Sequence, residues 1–441
     1  MPDYAETLRF LYSLQTFGIK LGLENTEQLL AFLGNPQRRF SSIHVAGTNG
    51  KGSTASLVAS VLTTAGFNTG LYTSPHLVDF SERIRINGVP IPVGAIVGIA
   101  EKLRPEVERL RATFFEATTA LAFEYFARSG VEIAVVETGL GGRLDSTNVL
   151  KPLLSVITTI ELDHTEHLGH DIKSVAREKG GIIKRNTPCV VGVVSREAYR
   201  LLKELAFERG SPIVRSPRVA RHTIRENSSR RLSVDMTVSG EVYPRLAIGL
   251  LGRHQIENAE TALVALRELG ERSAAFDRIS RSAVREGLRT VTRNSGIRGR
   301  FEVISRRPLV ILDVGHNHAA FQALKTVLGD FHLRKLIVVF GVMKDKDWRA
   351  MIRTLRPFVR TVVAVEAATD RALPSAEIVE ECLNEKIDVK EGRDVMDGVR
   401  IALDEAKWSD TILVAGSHYV VGEAIQALER EKARLDKKQE I

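Results

Sequence analysis

One segment carries the residue types needed to cradle a phosphate chain: Gly47-Thr48-Asn49-Gly50-Lys51-Gly52-Ser53-Thr54. Glycines let backbone N–H groups approach phosphate oxygens closely, a lysine adds a mobile positive charge, and a serine or threonine hydroxyl can reach a magnesium ion. The pattern departs from the common eight-residue form, because position 45 is Val45 and Gly52 separates Lys51 from the hydroxyls of Ser53 and Thr54. A glycine-rich turn with an incidental lysine is the competing reading. The flanking residues argue against it, since an apolar run precedes the segment and a helix-like run follows it, the order a phosphate-binding loop requires.

Other groups with chemical potential stand at the ends of apolar runs. Glu137 closes the run from Ile133 to Val136, and His164 follows a run ending near Ile160. Both are placed where open α/β sheets bind ligands, at the carboxyl ends of strands. The carboxylate of Glu137 with the hydroxyls of Ser53 and Ser74 suits Mg2+, while the imidazole of His164 is a less usual partner for that ion. His164, His167 and His170 recur every three residues beside Asp163, Glu166 and Asp171, which raises a zinc or iron site as an alternative. The neighbouring phosphate loop makes a polar loop near anionic ligands the simpler account. Lys179 and Lys184 face different ways on a helix, so only one of them can enter a site. Arg300 suits a bidentate grip on phosphate oxygens. Asp313 ends the run Leu309 to Val314, and His316 lies in the turn after it.

These groups need a scaffold. Ile43 to Ala46 reads as a strand and Ser56 to Ala65 as a helix, and apolar runs recur at Ile133 to Glu137, Leu154 to Ile160 and Cys189 to Val194, with helical stretches Phe115 to Arg128 and Ile172 to Ile183 between them. Continuous apolar strands alternating with helices predict a parallel sheet covered on both faces. From about Pro212 to Ile248 the alternation Leu232-Ser233-Val234-Asp235-Met236-Thr237-Val238 predicts antiparallel strands added to that sheet. A helix is expected from about Ile256 to Leu269. The basic, Gly- and Ser-bearing stretch Arg293 to Gly299 has the composition of a linker. After it the alternation restarts, with strands expected at Leu309 to Val314, Leu336 to Gly341, Val362 to Glu366 and Ile412 to Gly416. The expected fold is α/β: a phosphate-loop domain with a parallel sheet over residues 1–295, and a smaller Rossmann-like α/β domain over residues 296–441.

Composition narrows the class. The chain has 441 residues, 44% hydrophobic and 26% charged, values of an ordinary soluble protein rather than a disordered or fibrous one. No window approaches the run of apolar residues a membrane span needs, and the start lacks a secretory pattern. Two cysteines, Cys189 and Cys382, are too few for a disulfide framework, which points to the cytoplasm. The net charge of +8 suits nucleic acid or small polyanions. No basic helix with interleaved aromatic residues supports the first, and no Gly-x-Ser-x-Gly elbow supports a hydrolase. The charged stretch from Glu429 to Lys438 reads as a solvated tail.

The segment Ile43-His44-Val45-Ala46-Gly47-Thr48-Asn49-Gly50-Lys51-Gly52-Ser53 resembles the signature of folylpolyglutamate synthases and dihydrofolate synthases, members of the Mur ligase superfamily. The resemblance continues in order through Tyr72-Thr73-Ser74-Pro75-His76-Leu77, Ser81-Glu82-Arg83-Ile84, Val136-Glu137-Thr138-Gly139-Leu140-Gly141-Gly142-Arg143-Leu144-Asp145-Ser146-Thr147-Asn148, Asp163-His164 and Glu178-Lys179-Gly180-Gly181-Ile182-Ile183-Lys184. It then runs through Gly299-Arg300-Phe301-Glu302, Asp313-Val314-Gly315-His316-Asn317 and Ala415-Gly416-Ser417. It implies an ATP- and Mg2+-dependent ligase that adds L-glutamate to dihydropteroate and to reduced folates through an acyl phosphate. The family's roles carry over as follows. Lys51, Lys179, Asp313 and His316 are catalytic, and Lys179 is a site of carbamylation by CO2. Gly47 to Thr54, Asn258, Arg300 and Asp313 bind the nucleotide. Thr113, Phe115, Asp145 and Arg83 bind the pterin, although Phe115 also fits a plain helix core. Ser53, Ser74, Glu137 and His164 hold the metal. The chain is further expected to be a monomer that binds neither nucleic acid nor membrane. Gly315 and His318 depart from the family's usual Asp-Gly-Ala-His-Asn-Pro wording. Polyglutamylation alone, another Mur-type amide ligase and a phosphate-loop nucleotidase remain the alternatives.

Overall fold

The computed structural model describes residues 3–439 apart from positions 19 and 21. The first half of the chain contributes β1 (Ser41–Ala46), β2 (Thr69–Tyr72), β3 (Ile84–Ile86), β4 (Val89–Pro90), β5 (Ile133–Glu137), β6 (Leu154–Ile157), β7 (Cys189–Val191) and β8 (Ile213–Arg215). They form one sheet in the order β4-β3-β2-β5-β1-β6-β7-β8, parallel except at the β2-β3-β4 edge. The central strands are buried along their whole length, because helices cover both faces. The chain leaves β1 toward β2 on one side and later builds β6 on the other, so the carboxyl end of β1 is a topological switch point where a crevice opens.

The helix Lys51–Thr64 fills that crevice's floor. Its residues from Gly52 to Leu62 are all buried and mostly small, which lets it lie between the sheet and the helices His254–Gly270 and Arg281–Arg289. Contact is close: a Cβ on Gly287 would stand 2.6 Å from the Val61 Cα.

The alternating segment behaves differently from expectation. β9 (Ala220–Asn227), β10 (Leu232–Val238) and β11 (Glu241–Ile248) are antiparallel but form their own three-stranded sheet, and only β8 extends the main one. Leu232, Val234, Met236 and Val238 point to one face and join the core around the helix His254–Gly270. A sheet apolar on one face alone satisfies itself by lying on a helix, with its other face in water.

The later strands are β12 (Glu302–Arg306), β13 (Leu309–Asp313), β14 (Leu336–Phe340), β15 (Val359–Ala364), β16 (Asp388–Glu391) and β17 (Thr411–Ala415). Their sheet has the order β12-β13-β17-β14-β15-β16, antiparallel only between β12 and β13, with an apolar cluster on each face. The stretch with linker composition is instead a packed junction. Val291–Ser295 is helical, Gly296 turns the chain at φ 67°, and the Asn294 amide donates to the hydroxyls of Ser60 and Thr64 at 3.2 and 3.1 Å. The carboxyl edges of the two sheets face one another across this junction.

Candidate active site

The segment Gly47 to Thr54 joins the end of β1 to the helix that begins at Lys51. Gly50 adopts φ 79°, and a Cβ there would stand 2.4 Å from the Asn258 Oδ1. A Cβ on Gly47 would overlap the Thr158 hydroxyl. The loop's shape is fixed by partners beyond it. Thr48 N donates to the Thr159 carbonyl at 2.8 Å, Asn49 N to the Thr159 hydroxyl at 3.0 Å, and the Thr158 hydroxyl to the Asn49 carbonyl at 2.7 Å. Lys51 Nζ donates to the Thr48 carbonyl at 3.2 Å. Lys179 Nζ donates to the Gly47 carbonyl at 3.0 Å, and its ammonium is pushed down to about 7 by burial and by Lys51. Lys184 turns instead to the Asn148 carbonyl at 2.7 Å.

Beside this loop lies a buried ionic group. Glu137, 4% exposed at the end of β5, accepts from Ser74 N at 3.3 Å. Burial pushes its carboxyl up, opposed by Lys51 and Arg300. Arg300 reaches across from the second sheet: a Cβ on Gly52 would lie 3.5 Å from an Arg300 Nη and 3.3 Å from the Glu137 Oε2. Arg300 Nε is buried and has no hydrogen-bond partner among the described residues. Asp313 accepts from Phe301 N at 3.0 Å and Gly315 N at 2.8 Å, fixing the turns that carry Arg300 and His316. His316 Nδ1 donates to the Val314 carbonyl at 3.0 Å. Between the sheets is a cavity of about 50 Å3, bordered by Gly52, Ser74, Glu137, Arg298, Arg300 and His418.

Among the described residues no three His, Cys, Asp or Glu side chains converge as a ready-made metal cage, so the histidine-rich stretch after Ile160 forms no zinc or iron cluster. Glu137, Ser74 and the buried Ser53 offer a few hard oxygens beside a phosphate loop, the donor chemistry of an ion that also takes phosphate oxygens and waters. His164 stands beside Asp163, within electrostatic reach of Lys51. Its imidazole lies 4.0 Å from the Asp163 Oδ1 and is pushed down to about 4 by burial and by nearby Lys346 and His316, against the pull of Asp163.

Asp163 ties the two sheets together. It accepts from Lys346 Nζ and from the Asn317 amide, both at 2.9 Å, while Asn317 and Asn49 exchange amide hydrogen bonds at 3.1 and 3.3 Å. The Lys346 and Asp163 side chains are 8% and 10% exposed. Burial raises the Asp163 carboxyl, but His164 and Lys346 outweigh it and hold the group well below the usual carboxylate range. Sequence reasoning passed over Lys346. Its one available signal was its place in the turn after β14, at the carboxyl edge of a strand.

The remaining candidates divide by what their polar atoms do. Arg83 is buried, donates from Nε to the His76 Nδ1 at 2.7 Å, and lies 5.1 Å from the Phe114 ring centre. Phe115 stacks on Tyr72 at 6.0 Å and presses against Gly139. Thr113 caps the helix Phe114–Arg128 in a box with Glu116, and Asp145 accepts from Leu140 N at 2.8 Å and Thr147 N at 3.0 Å. Those two hold backbone in place. Asn258, opening the helix His254–Gly270, touches the phosphate loop at Gly50 and its amide donates to the Gln255 Oε1 at 3.0 Å.

The Mur ligase middle domain matches residues 45–266, and the Mur ligase glutamate ligase domain matches residues 299–418. The chain is 33% identical to the dihydrofolate synthase/folylpolyglutamate synthase of Bacillus subtilis, covering 95% of this chain and 98% of that protein. It is 36% identical to a probable bifunctional folylpolyglutamate synthase/dihydropteroate synthase of Haloferax volcanii, with 96% of this chain matching 50% of that longer protein. Among solved structures, E. coli FolC in complex with DHPP and ADP superposes with a TM-score of 0.85 at 30% identity, covering 98% of this chain and all of that one. Mycobacterium tuberculosis folylpolyglutamate synthase complexed with ADP gives 0.87 at 31% identity, covering 96% and 98%. A phosphate loop in one sheet, an arginine facing it from a second, and matches of this extent place the chain in the dihydrofolate synthase/folylpolyglutamate synthase family of Mur ligases.

Proposed function

We propose that this chain joins L-glutamate to dihydropteroate and to reduced folates, using ATP to activate the acceptor carboxylate as an acyl phosphate. The observation that carries the reading is the facing pair of a braced phosphate loop and Arg300, whose buried Nε has no hydrogen-bond partner among the described residues. A carboxylate is a poor electrophile at neutral pH, so its activation is a problem of positioning and of neutralising phosphate charge. The N–H groups of Gly50 to Ser53 and the ammonium of Lys51 hold the phosphate chain. Arg300 neutralises the phosphate being transferred, with Asp313 fixing the turn that presents it. Asn258 and Lys179 keep the loop in shape. Glu137, Ser74 and Ser53 would hold Mg2+, with His164 beside the neighbouring Asp163, and the ion would supply further charge neutralisation at the phosphates. A Lys179 amine titrating near neutrality also fits carbamylation, which needs the uncharged form.

For the pterin, Phe115 offers a ring face beside Tyr72 and Arg83 a buried cation, while Thr113 and Asp145 shape the pocket through the backbone they hold. The division into a nucleotide-binding unit of residues 1–295 and a glutamate-ligase unit of residues 296–441 belongs to the same reading. So do a monomeric state and a cytoplasmic location, the latter supported by the buried free thiols of Cys189 and Cys382. No helix among the described residues is long and apolar enough to cross a membrane.

The test is incubation with ATP, Mg2+, glutamate and either dihydropteroate or tetrahydrofolate. A mass gain of one glutamyl residue on each acceptor, matched by ADP, is expected. Product from tetrahydrofolate alone would restrict the activity to polyglutamylation. Phosphate release that ignores both acceptors would overturn the ligase reading in favour of a nucleotidase.

A further inference from the structure

Arg83 ends the short helical turn Phe80–Arg83, and its carbonyl accepts from Thr73 N at 3.0 Å, which seats it behind the rim of the cavity that Thr73 and Ser74 border. The residue is 7% exposed, a buried cation. A guanidinium has five N–H donors, and among the described residues this one spends only its Nε–H, on the His76 Nδ1 at 2.7 Å. The nearby carboxylates are engaged elsewhere. Glu82 accepts from the N–H groups of Leu77, Val78 and Asp79 at 2.8, 3.1 and 3.0 Å, Asp79 accepts from Ser81 N at 2.8 Å, and Glu137 faces Lys51 and Arg300. Burial pushes the guanidinium down, and the phenols of Tyr72, Tyr12 and Tyr419 oppose that before Glu137 does. Arginine is almost never this buried without a paired anion, because an uncompensated charge in a low-dielectric interior is costly.

Its position decides which anion. On one side the guanidinium lies 5.1 Å from the Phe114 ring centre, in the aromatic group that also holds Tyr12, Tyr72 and Phe115. On the other it acts on Glu137 and His418, which border the cavity beside the phosphate loop. A molecule that spans both sides has a flat ring at one end and an anion at the other. Dihydropteroate and the folates have that form, and their carboxylate is the group that must be carried to the phosphate. Glutamate has no ring, and the phosphates of ATP have Lys51 and Arg300. His76 decides how the arginine points. An arginine N–H can only donate, so the His76 Nδ1 is an acceptor and the ring proton is on Nε2, 3.4 Å from the Tyr12 hydroxyl. That bond fixes Nε and leaves the two Nη groups to a ligand.

We infer that Arg83, aimed by His76, grips the carboxylate of the acceptor that is to be phosphorylated, with His76 as a positioning residue. The inference rests on the acyl-phosphate reading above and assigns Arg83 to the acid end of the acceptor rather than to its pterin ring. While the Nη groups hold one carboxylate oxygen, the other attacks the γ-phosphorus. An O–P bond forms, and the bond from that phosphorus to the ADP oxygen breaks with its electron pair leaving on ADP.

The experiment compares two ligands by titration calorimetry in the presence of ADP: dihydropteroate and its carboxamide, which keeps the ring and loses the charge. The unsubstituted chain should bind the acid about 100-fold more tightly. In Arg83→Gln that preference should vanish through loss of affinity for the acid alone, with ADP binding near the parent's to show that the variant is folded. His76→Leu should cut the preference about tenfold, and His76→Asn, whose amide oxygen can accept the same N–H, should keep most of it. An unsubstituted chain that binds acid and amide alike overturns the role of Arg83 even if Arg83→Gln fails to fold. Equal loss of both ligands in His76→Leu overturns the positioning role of His76. Binding of neither ligand by the unsubstituted chain overturns the acceptor reading itself, whatever the variants do.

Discussion

The two sheet edges that face each other are prepared in opposite ways. On the first, the phosphate loop is braced from several sides: Thr48, Asn49, Thr158, Thr159, Lys51 and Lys179 all bond to loop atoms. On the second, Asp313 holds turns and Asn317 bonds to Asp163 and Asn49 across the junction, while among the described residues the buried Arg300 Nε and His418 Nε2 have no hydrogen-bond partner. One edge is a finished mould and the other is a set of groups waiting for charge. A mould preorganised without ligand should set nucleotide affinity, whereas unpaired groups that gain partners only during reaction should set turnover.

The strongest test of that contrast is a pair of substitutions. Arg300→Ala should lower kcat about 1,000-fold, the scale on which a guanidinium stabilises phosphate in transfer, with little change in ADP affinity. Lys51→Ala should weaken ADP binding as well as abolish ligation, because it strips the mould of its charge. Both variants should melt near the temperature of the parent, since among the described residues Lys51 Nζ bonds only to the Thr48 carbonyl and Arg300 Nε has no hydrogen-bond partner. Titration calorimetry with steady-state rates reads the difference. Equal losses of affinity in the two variants would erase the division of labour.

A smaller effect is expected where the edges touch. Lys346→Ala removes the ion-pair partner of Asp163 and leaves a nearly buried carboxylate with the Asn317 amide, the His164 N–H and neighbouring imidazoles. Water relieves such a charge best when the two sheets part. The variant should therefore be more extended in X-ray scattering, lose about tenfold in turnover, and recover compactness when nucleotide bridges the edges. Unchanged scattering would mean that the apolar contacts of the junction hold the sheets without this ion pair.

The same contrast explains what could be read from the chain. The phosphate loop is contiguous, so Gly47 to Thr54 announced itself, as did the apolar strands that present Glu137 and Asp313. The loop's braces did not, because the Asn49 to Thr159 bond spans 110 residues and the Asn49 to Asn317 pair spans 268. Lys346 and His418 stand at strand ends that were visible, but nothing local distinguishes them from surface residues; the resemblance runs to Ser417, one residue short. The strands from Ala220 to Ile248 show the limit of periodicity. Alternation revealed one apolar face without saying whether a sheet edge or a helix would meet it.

The least of the expected effects falls within the mould and concerns stability rather than rate. Lys179 is 4% exposed, and its amine titrates near 7 in the folded chain against 10.5 for the free side chain. Below pH 7 the folded chain must hold a buried ammonium, and the full cost of that burial is present. Between pH 7 and 10.5 the unfolded chain binds more protons than the folded one, so stability rises with pH and the cost fades. Lys179→Met removes the ammonium but also the donor to the Gly47 carbonyl, which offsets part of the gain. The variant should therefore melt about 3 °C or more above the parent at pH 6, with the gap narrowing by pH 9, while ligation is lost at both. Thermal unfolding at the two pH values reads this directly. A gap that widens toward pH 9 would show that Lys179 is a stabilising brace like Thr158 and Thr159 rather than a group held in the mould at a cost.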